Sequence, residues 1–297
     1  MTSSPNLCTL FDQTYLPQGR ALLASIRQHE PDARLYVLAL DEPTRWAIQS
    51  LHLPNMWVIS LKEFETDQLK RLRQDRTHTE YCWTLPAFLT ATLLADFDLP
   101  HIAYIDADCF LFDALAPLYD EVQNAELAII PHRFPARLRW RETANGIYNV
   151  GWVFFRNTQK ARQCLQHWCQ QVANQCSAQS SRDTYARLRF GDQGYLDTWP
   201  EQYGAHVVQH LGANLAPWNQ EQYLYQHIEH QHGLNIVRPS HSDPLLFYHF
   251  HGHRFQNTTR SFHRGGYPIA RMVEKFVYTP YEHTLLQIHD TYSAGPK

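Results

Sequence analysis

The chain of 297 residues is long enough for one large domain or two modest ones. Its formal net charge of −3 excludes a protein that relies on a basic surface to bind nucleic acid. Hydrophobic residues make up 44% of the chain and charged residues 19%, which is an ordinary globular balance, and no run of about 18 apolar residues predicts a transmembrane segment.

The N-terminus and the cysteines indicate a cytoplasmic protein. The first residues show no basic segment followed by an apolar one, so no signal peptide is predicted. Six cysteines are too few for a disulfide framework in a chain of this length. Cys164, Cys169 and Cys176 recur with Leu165 and Trp168 at helical spacing, which predicts core packing rather than a metal site.

Strand-like and helix-like segments alternate through the first half of the chain. Apolar runs predict strands at 7–11, 34–40, 56–60 and 101–105. Helices are predicted at 19–27, after the turn at 41–43, and from Thr84, which can cap a helix that has Pro86 in its first turn. The polar stretch 61–76 is predicted to be an exposed helix and loop. This alternation predicts an α/β fold with a mostly parallel, Rossmann-like sheet flanked by helices.

The second half is less regular. Strands are predicted at 127–130, 148–155 and 245–250, a helix after Thr158, a hairpin of 223–229 with 234–237 around Gly233, and short helices from 269. The preferred organisation is a single domain over 1–297. It comprises a nucleotide-binding half (1–110), a half for the donor and acceptor sugars (111–260) and a helical tail (261–297).

Two carboxylates, Asp106 and Asp108, follow the predicted buried strand at 101–105. Residues two apart in extended chain point to the same side, and ligand crevices form beyond the carboxyl ends of such strands. Adjacent carboxylates are costly there unless a positive group neutralises them, and a divalent cation that holds a phosphate-bearing substrate is the simplest such group. A turn rich in aspartate is the alternative interpretation.

The segment from Phe247 to Arg254 is rich in histidine and follows an apolar strand. His249 and His251 share one side of an extended chain, so either can complete a metal site with the two carboxylates. An imidazole in this ligand set favours Mn²⁺ over Mg²⁺. A histidine satisfied by backbone groups at a strand end is the alternative.

Two further segments carry candidate polar groups. Asn149 and Gly151 open a predicted buried strand, where a glycine lets backbone approach a ligand closely and the amide can bind sugar hydroxyls. Asp192 and Gln193 stand between Gly191 and Gly194. Asp192 is predicted to be either a helix N-cap or, with Gln193, part of the reaction pocket.

The order of these motifs resembles the GT-A glycosyltransferases, and most closely the glycogenin and bacterial galactosyltransferase group, which is family 8-like. The resemblance covers roughly residues 5–255. Five motifs in the same order carry it: Asp12-Gln13-Thr14-Tyr15 after the first strand, Asp106-Ala107-Asp108, Asn149-Val150-Gly151, Asp192-Gln193 and His249-Phe250-His251-Gly252.

The resemblance implies a GT-A fold and specific roles for the nucleotide-side residues. Asp12 is expected to read a uracil N–H, with Tyr15 close to the base. Asp106 and Asp108 are expected to bind the metal, with Asp106 also near the ribose. His249, ranked above His251, is expected to be the third metal ligand.

On the sugar side, Asn149 is expected to contact donor or acceptor hydroxyls, while Asp192 and Gln193 match the pair at the reacting face of the donor sugar. The glycines of two motifs, Gly151 and Gly252, are expected to let the donor approach backbone. The group resembled is a retaining one, which implies front-face attack with Gln193 or Asp192 close to the anomeric carbon.

The chain departs from the group after Gly252. The group has a lysine and then Pro-Trp at this point, and the lysine holds the diphosphate. Here Arg254 is expected to replace that lysine, one position early, and the Pro-Trp pair occurs elsewhere, at Pro217-Trp218.

These features predict a metal-dependent transfer of a hexose from a nucleoside-diphosphate sugar, preferably a UDP-sugar, to an acceptor hydroxyl. The cofactor is expected to be Mn²⁺ or Mg²⁺. The acceptor is expected to be a glycan, a lipid-linked sugar or another hydroxyl compound, and a lipid-linked acceptor would place the protein at the inner face of a membrane. Alternatives are a nucleotidyltransferase, a non-haem iron oxygenase on an antiparallel barrel, and a non-catalytic carbohydrate-binding protein.

Overall fold

A computed structural model describes residues 4–179, 181–182, 188–228, 233–256 and 258–293. The strands are β1 (Asn6–Phe11), β2 (Arg34–Ala39), β3 (Met56–Ser60), β4 (His101–Ile105), β5 (Cys109–Leu111), β6 (Leu127–Pro131), β7 (Tyr148–Arg156), β8 (Ser181–Arg182), β9 (Leu188–Arg189), β10 (His206–Val207), β11 (Leu224–Ile228), β12 (Gly233–Val237), β13 (Ser242–Pro244), β14 (Phe247–His249), β15 (His253–Gln256) and β16 (Ser261–Arg264).

The α-helices of the same residues are α1 (Leu16–His29), α2 (Glu42–Gln49), α3 (Leu61–Phe64), α4 (Asp67–Asp75), α5 (His78–Asp96), α6 (Ala116–Glu121), α7 (Trp140–Asn145), α8 (Gln159–Asn174), α9 (Trp199–Tyr203), α10 (Arg271–Val273) and α11 (Thr279–Ser293). Among these residues, no helix combines the length and the apolar character that a membrane span needs.

The central sheet has seven strands among the described residues, in the order β10-β6-β7-β4-β1-β2-β3. β1 pairs in parallel with β2 and β4, and β2 pairs in parallel with β3. Of these seven strands, only β7 is antiparallel to its neighbours, β4 and β6. The predicted α/β fold with a mostly parallel sheet is therefore confirmed, and an antiparallel barrel of the oxygenase type is excluded.

Helices cover both faces of this sheet and bury it. On one face α5 and α8 pack Leu89 and Trp168 against the strands, and on the other α1 and α2 contribute Leu22 and Ile48. A third apolar cluster joins α11 to β14, where Phe250 stacks on Tyr281 with ring centroids 3.7 Å apart. Burial on both faces explains why the central strands read as continuous apolar runs.

The start of α5 differs from its prediction. The helix begins at His78, and Thr77 forms a capping box with Glu80, so Thr84 is wrong as the cap. Thr84 lies inside the helix, where its hydroxyl donates to the carbonyl of Glu80 over 2.8 Å. The pattern around Thr84 was misleading because Pro86 is tolerated within this helix rather than at its first turn.

Other boundaries are closer to prediction. Thr158 caps α8 as expected, and the hairpin forms between β11 and β12, although Glu229 lies outside the described residues. The stretch 61–76 forms the two helices α3 and α4, each anchored by a buried leucine. The strand predicted at 245–250 is shorter, because only Phe247–His249 pairs as β14.

A small antiparallel pair outside the central sheet brings distant parts of the chain together. β14 pairs with β5, which places His249 opposite Cys109. The backbone N–H of Phe250 donates to the carbonyl of Asp108 over 2.8 Å, which extends this pairing by one step. The late histidine segment therefore lies against the turn that follows β4.

Candidate active site

Asp106, Asp108 and His249 meet at the carboxyl end of β4. His249 Nε2 lies 3.1 Å from Asp108 Oδ1 and 3.8 Å from Asp106 Oδ2. One ligand atom from each of the three residues lies within 4.8 Å of the others. The chain reverses between the two aspartates, since Cys109 N–H donates to the carbonyl of Asp106 over 3.0 Å. Two carboxylates and an imidazole thus converge, as the sequence predicts.

The three groups strongly affect one another's ionisation. Burial opposes the charge on Asp108, but the adjacent His249 more than compensates and lowers the pKa of Asp108 to about 2. Burial, together with the charge on Asp108, raises the pKa of Asp106. Burial of His249 would lower its pKa, but Asp108 and Asp106 raise it. A divalent cation would replace the imidazolium proton as the positive partner of the two carboxylates.

Asn149 fixes which nitrogen of His249 faces the carboxylates. Asn149 Oδ1 accepts from the backbone N–H of Gly151 over 2.8 Å, so this atom is the amide oxygen. The same oxygen lies 3.2 Å from His249 Nδ1, which must therefore donate its proton there. Nε2 is left free to bind a metal when the ring is neutral, which is the arrangement that metal-binding histidines require. The residues present therefore fit a divalent cation.

Asn149 and His249 lie so close to the backbone of residue 151 that only a glycine fits there. A Cβ at this position would lie 2.4 Å from Asn149 Oδ1 and 2.6 Å from His249 Nδ1. The pairing of β6 with β7 shifts register at this point, and this irregularity redirects β7 between Asn149 and Val153. The sequence analysis expected a ligand to approach the backbone at Gly151, but the groups that lie closest to this glycine are side chains of the protein itself.

Asp192 and Gln193 lie at the start of a 3₁₀ turn, Gln193–Thr198. Gln193 Oε1 accepts from Asn149 Nδ2 over 3.2 Å, and its Nε2 donates to the carbonyl of Asn145 over 2.7 Å. Asp192 occupies the N-cap position of this turn, as the N-cap interpretation predicts, but its side chain makes no capping hydrogen bond. Burial, followed by the charge of Asp106, raises the pKa of Asp192 well above its ordinary value.

Asp12 lies just beyond β1 and has both oxygens engaged. Oδ1 accepts from the backbone N–H groups of Thr14 and Tyr15 over 2.9 and 3.2 Å. Oδ2 lies 2.7 Å from Nε2 of His78, a residue at the start of α5 that the sequence analysis did not select. A carboxylate has about four acceptor positions, so these contacts orient Asp12 without exhausting it.

Arg254 and Tyr15 line the same cavity as the carboxylates of Asp106 and Asp108. The Arg254 guanidinium lies 4.8 Å from the Tyr15 ring centroid, and its Nη1 donates to the carbonyl of His253 over 3.0 Å. Its charge also helps to lower the pKa of Asp108. The turn that carries Arg254 depends on Gly252, whose φ of 74° is unfavourable for other residues.

All predicted site residues except Gly151 line one cavity of about 700 Å³, a size that suits a small-molecule substrate. Besides His78, sequence reasoning did not select three supporting residues, Asn214, Trp218 and His132. Asn214 donates to Asn149 Oδ1 over 3.1 Å, while the Trp218 ring packs against His249 and donates from Nε1 to the carbonyl of His132 over 2.9 Å. Trp218 had one sequence signal, the displaced Pro-Trp pair, which does not include Asn214 or His132.

Comparison with known proteins identifies two relatives and a fold. No family model matches the sequence. The uncharacterized protein YfnD of Bacillus subtilis (strain 168) is 32% identical over 252 residues, which cover 84% of this chain and 78% of YfnD. The uncharacterized protein YfnF of the same strain is 28% identical over 298 residues, which cover 97% of this chain and 93% of YfnF.

Solved structures with a similar fold are glycosyltransferases. The galactosyltransferase LgtC, solved with donor and acceptor sugar analogues, superimposes with a TM-score of 0.60 at 15% identity, over 95% of each chain. The glycosyltransferase GlyE of Streptococcus pneumoniae TIGR4 gives 0.55 at 14% identity, over 98% of this chain and 64% of GlyE. At these identities the likeness establishes the fold. The chain belongs to the YfnD family and has the GT-A glycosyltransferase fold.

Proposed function

We propose that this protein is a metal-dependent glycosyltransferase, which moves a hexose from a nucleoside-diphosphate sugar to an acceptor hydroxyl. The observation that carries the proposal is the meeting of Asp106, Asp108 and His249 in a cavity at the carboxyl ends of parallel strands. This is the edge where open α/β sheets bind nucleotides. The cavity also contains Arg254, a cation positioned beside the carboxylates.

The donor would lie across this cavity with its base near Asp12. The Asp12 carboxylate can accept the N–H of uracil, and Tyr15 offers a flat ring beside the base. This arrangement favours a UDP-sugar. His78 Nε2 lies within hydrogen-bond distance, 2.7 Å, of Asp12 Oδ2, so the carboxylate that would read the base is already oriented.

The diphosphate would lie between the carboxylate cluster and Arg254. Asp106, Asp108 and His249 would hold a divalent cation, for which Mn²⁺ is the preferred candidate because imidazole is among the ligands. Bound there, the cation supplies positive charge against the charge that develops on the leaving diphosphate. Arg254 would supply a second positive charge to the diphosphate oxygens, which its planar guanidinium group can bind through two N–H groups.

The sugar would lie toward Asn149, Asp192 and Gln193. The amide of Gln193 is held between Asn149 and the carbonyl of Asn145, so it presents one fixed orientation to the cavity. Burial raises the pKa of Asp192, and in its neutral form its hydroxyl can donate to a sugar oxygen. These contacts would hold the donor sugar with its anomeric carbon facing the acceptor.

A thermal-shift panel tests this proposal. UDP, GDP, ADP and CDP are each added with and without Mn²⁺, to wild type and to Asp108→Asn. A nucleotide at about 100 times its Kd adds about 2.7 kcal/mol of stability, which raises the Tm by a few degrees. We expect UDP to stabilise wild type only with Mn²⁺, and Asp108→Asn to lose this response.

The matched control is Asp120→Asn, which changes an exposed carboxylate on α6 and should respond like wild type. Stabilisation by a nucleotide without metal dependence would refute the metal assignment. If no nucleotide stabilises the protein but free glycans do, the protein is a carbohydrate-binding protein and the proposal fails.

A further inference from the structure

A second cation lines the cavity, and the donor proposal does not use it. Arg141 belongs to the first turn of α7, and no described carboxylate pairs with it. Its Nη1 donates to the Tyr267 hydroxyl over 3.3 Å, while its Nε is buried and has no hydrogen-bond partner among the described residues. A guanidinium left partly unsatisfied beside a cavity is costly unless a ligand completes its contacts.

Arg141 and Arg254 are held by different neighbours. Arg254 lies over Tyr15 and is close enough to Asp108 to lower the pKa of that carboxyl. Arg141 instead contacts the Tyr267 hydroxyl and the ring of Trp140. The two cations therefore have different neighbours within the same cavity.

The helix that carries Arg141, α7, also contacts Gln193, which is predicted to lie at the reacting face of the donor sugar. The carbonyl of Asn145, at the end of α7, accepts from Gln193 Nε2 over 2.7 Å. At the other end of the helix, Trp140 is 64% exposed, and the Arg141 guanidinium lies 5.5 Å from its ring centroid. Trp140 is next in sequence to Arg141, which lines the cavity, and an exposed tryptophan offers a flat apolar face on which a sugar ring can stack.

We infer that Arg141, Tyr267 and Trp140 form an acceptor subsite for a glycan that carries an anionic group, either a carboxylate or a phosphate. This inference rests on the proposed glycosyltransferase function and names the class of its acceptor. The Arg141 guanidinium can bind either anion through the N–H groups of its two terminal nitrogens. A neutral acceptor would leave the Arg141 charge unpaired, so the subsite discriminates against it.

The test measures binding of matched probes by ligand-observed NMR, with the full chain saturated with UDP and Mn²⁺. The probes are methyl β-glucuronide, glucose 6-phosphate and the neutral methyl β-glucoside. We expect at least one anionic probe to bind about tenfold more tightly than the glucoside, which is the usual value of a charge-assisted contact. Comparison of the glucuronide with the phosphate identifies which anion the subsite takes.

Variants connect this preference to Arg141. Arg141→Gln should lose the preference because the anionic probes bind more weakly, while Arg141→Lys should keep part of it. The matched control is Arg139→Gln, two residues away at an exposed position, which should keep the full preference. Trp140→Ala should weaken all probes alike, because stacking does not depend on charge.

Three results would overturn the inference: equal affinity for charged and neutral probes, no binding of either anionic probe, or loss of UDP and Mn²⁺ binding in Arg141→Gln. The last result would assign Arg141 to the donor diphosphate. Failure of the proposed function looks different, since UDP and Mn²⁺ would then fail to bind the wild type, whatever the glycan probes do.

Discussion

The side-chain amide of Asn149 connects His249 to Gln193. Its Oδ1 lies 3.2 Å from His249 Nδ1, and its Nδ2 donates to Gln193 Oε1 over 3.2 Å. The amide oxygen is oriented by two further donors, the N–H of Gly151 and Nδ2 of Asn214. One buried residue therefore supports both a proposed metal ligand and a residue of the proposed sugar face.

Two substitutions separate the roles of Asn149. Asn149→Leu removes the acceptor for His249 Nδ1, and we expect Mn²⁺ affinity to fall by about 10–100-fold, as for other residues that support a metal ligand. Asn149→Asp keeps an acceptor for His249 but loses the donor to Gln193, so Mn²⁺ affinity should be largely retained while turnover falls. Free Mn²⁺ measured by EPR reports the affinity. Equal Mn²⁺ affinity in wild type and Asn149→Leu would contradict this role.

Gly151→Ala should damage the same centre by crowding. The added methyl would lie 2.6 Å from His249 Nδ1 and 2.4 Å from Asn149 Oδ1, so the imidazole must move and Mn²⁺ binding should weaken by about tenfold or more. Gly204→Ala is the control. It meets no atom within 4 Å but has a φ of 67°, so it should cost about 1 kcal/mol of stability and leave Mn²⁺ binding intact. Normal Mn²⁺ binding in Gly151→Ala would show that the site can relax.

Arg254→Gln should weaken the diphosphate part of donor binding. Removing a charge-assisted contact typically costs about 1.5–3 kcal/mol, so UDP affinity should fall by about 10–100-fold while uridine affinity changes little. Arg254→Lys should restore part of the loss, because the charge remains but the fork geometry is lost. Isothermal titration with UDP and uridine, both with Mn²⁺, measures the difference. An equal loss for both ligands would place Arg254 at the base instead.

His101 should make the protein less stable in mild acid. It is 4% exposed, and burial, with the nearby charge of Arg156, lowers its pKa to about 4. The unfolded chain binds a proton at this residue near pH 6.5, so between about pH 6.5 and pH 4 it holds more protons than the folded protein. Stability should therefore fall as the pH drops through this window, by up to about 3 kcal/mol from this residue.

Urea unfolding at pH 7.5 and pH 5 tests the contribution of His101. In His101→Gln the difference in unfolding free energy between the two pH values should be smaller than in wild type, although the variant is less stable at both. His283→Gln, which changes an exposed histidine on α11, is the control and should keep the wild-type difference. An unchanged pH dependence in His101→Gln would assign the acid sensitivity to other buried groups.

The sequence by itself determined the sheet and the chemical types of the site residues. Apolar runs identified the central strands, because parallel strands are buried on both faces, and polar residues after those runs marked the crevice. Asp106 and Asp108 were predicted in this way, together with either His249 or His251. The resemblance to the GT-A glycosyltransferases favoured His249, and the structure brings this histidine together with the two aspartates.

Only the tertiary structure decided how those residues are held and which others join them. The pairing of β5 with β14 places His249 beside Asp108 across a separation of about 140 residues, and no local pattern encodes that pairing. The contacts of Asn149 with Asn214, of Asp12 with His78 and of Arg141 with Tyr267 have the same origin. Sequence periodicity reports which face of an element is buried, whereas the partner of a polar atom depends on segments that only folding brings together.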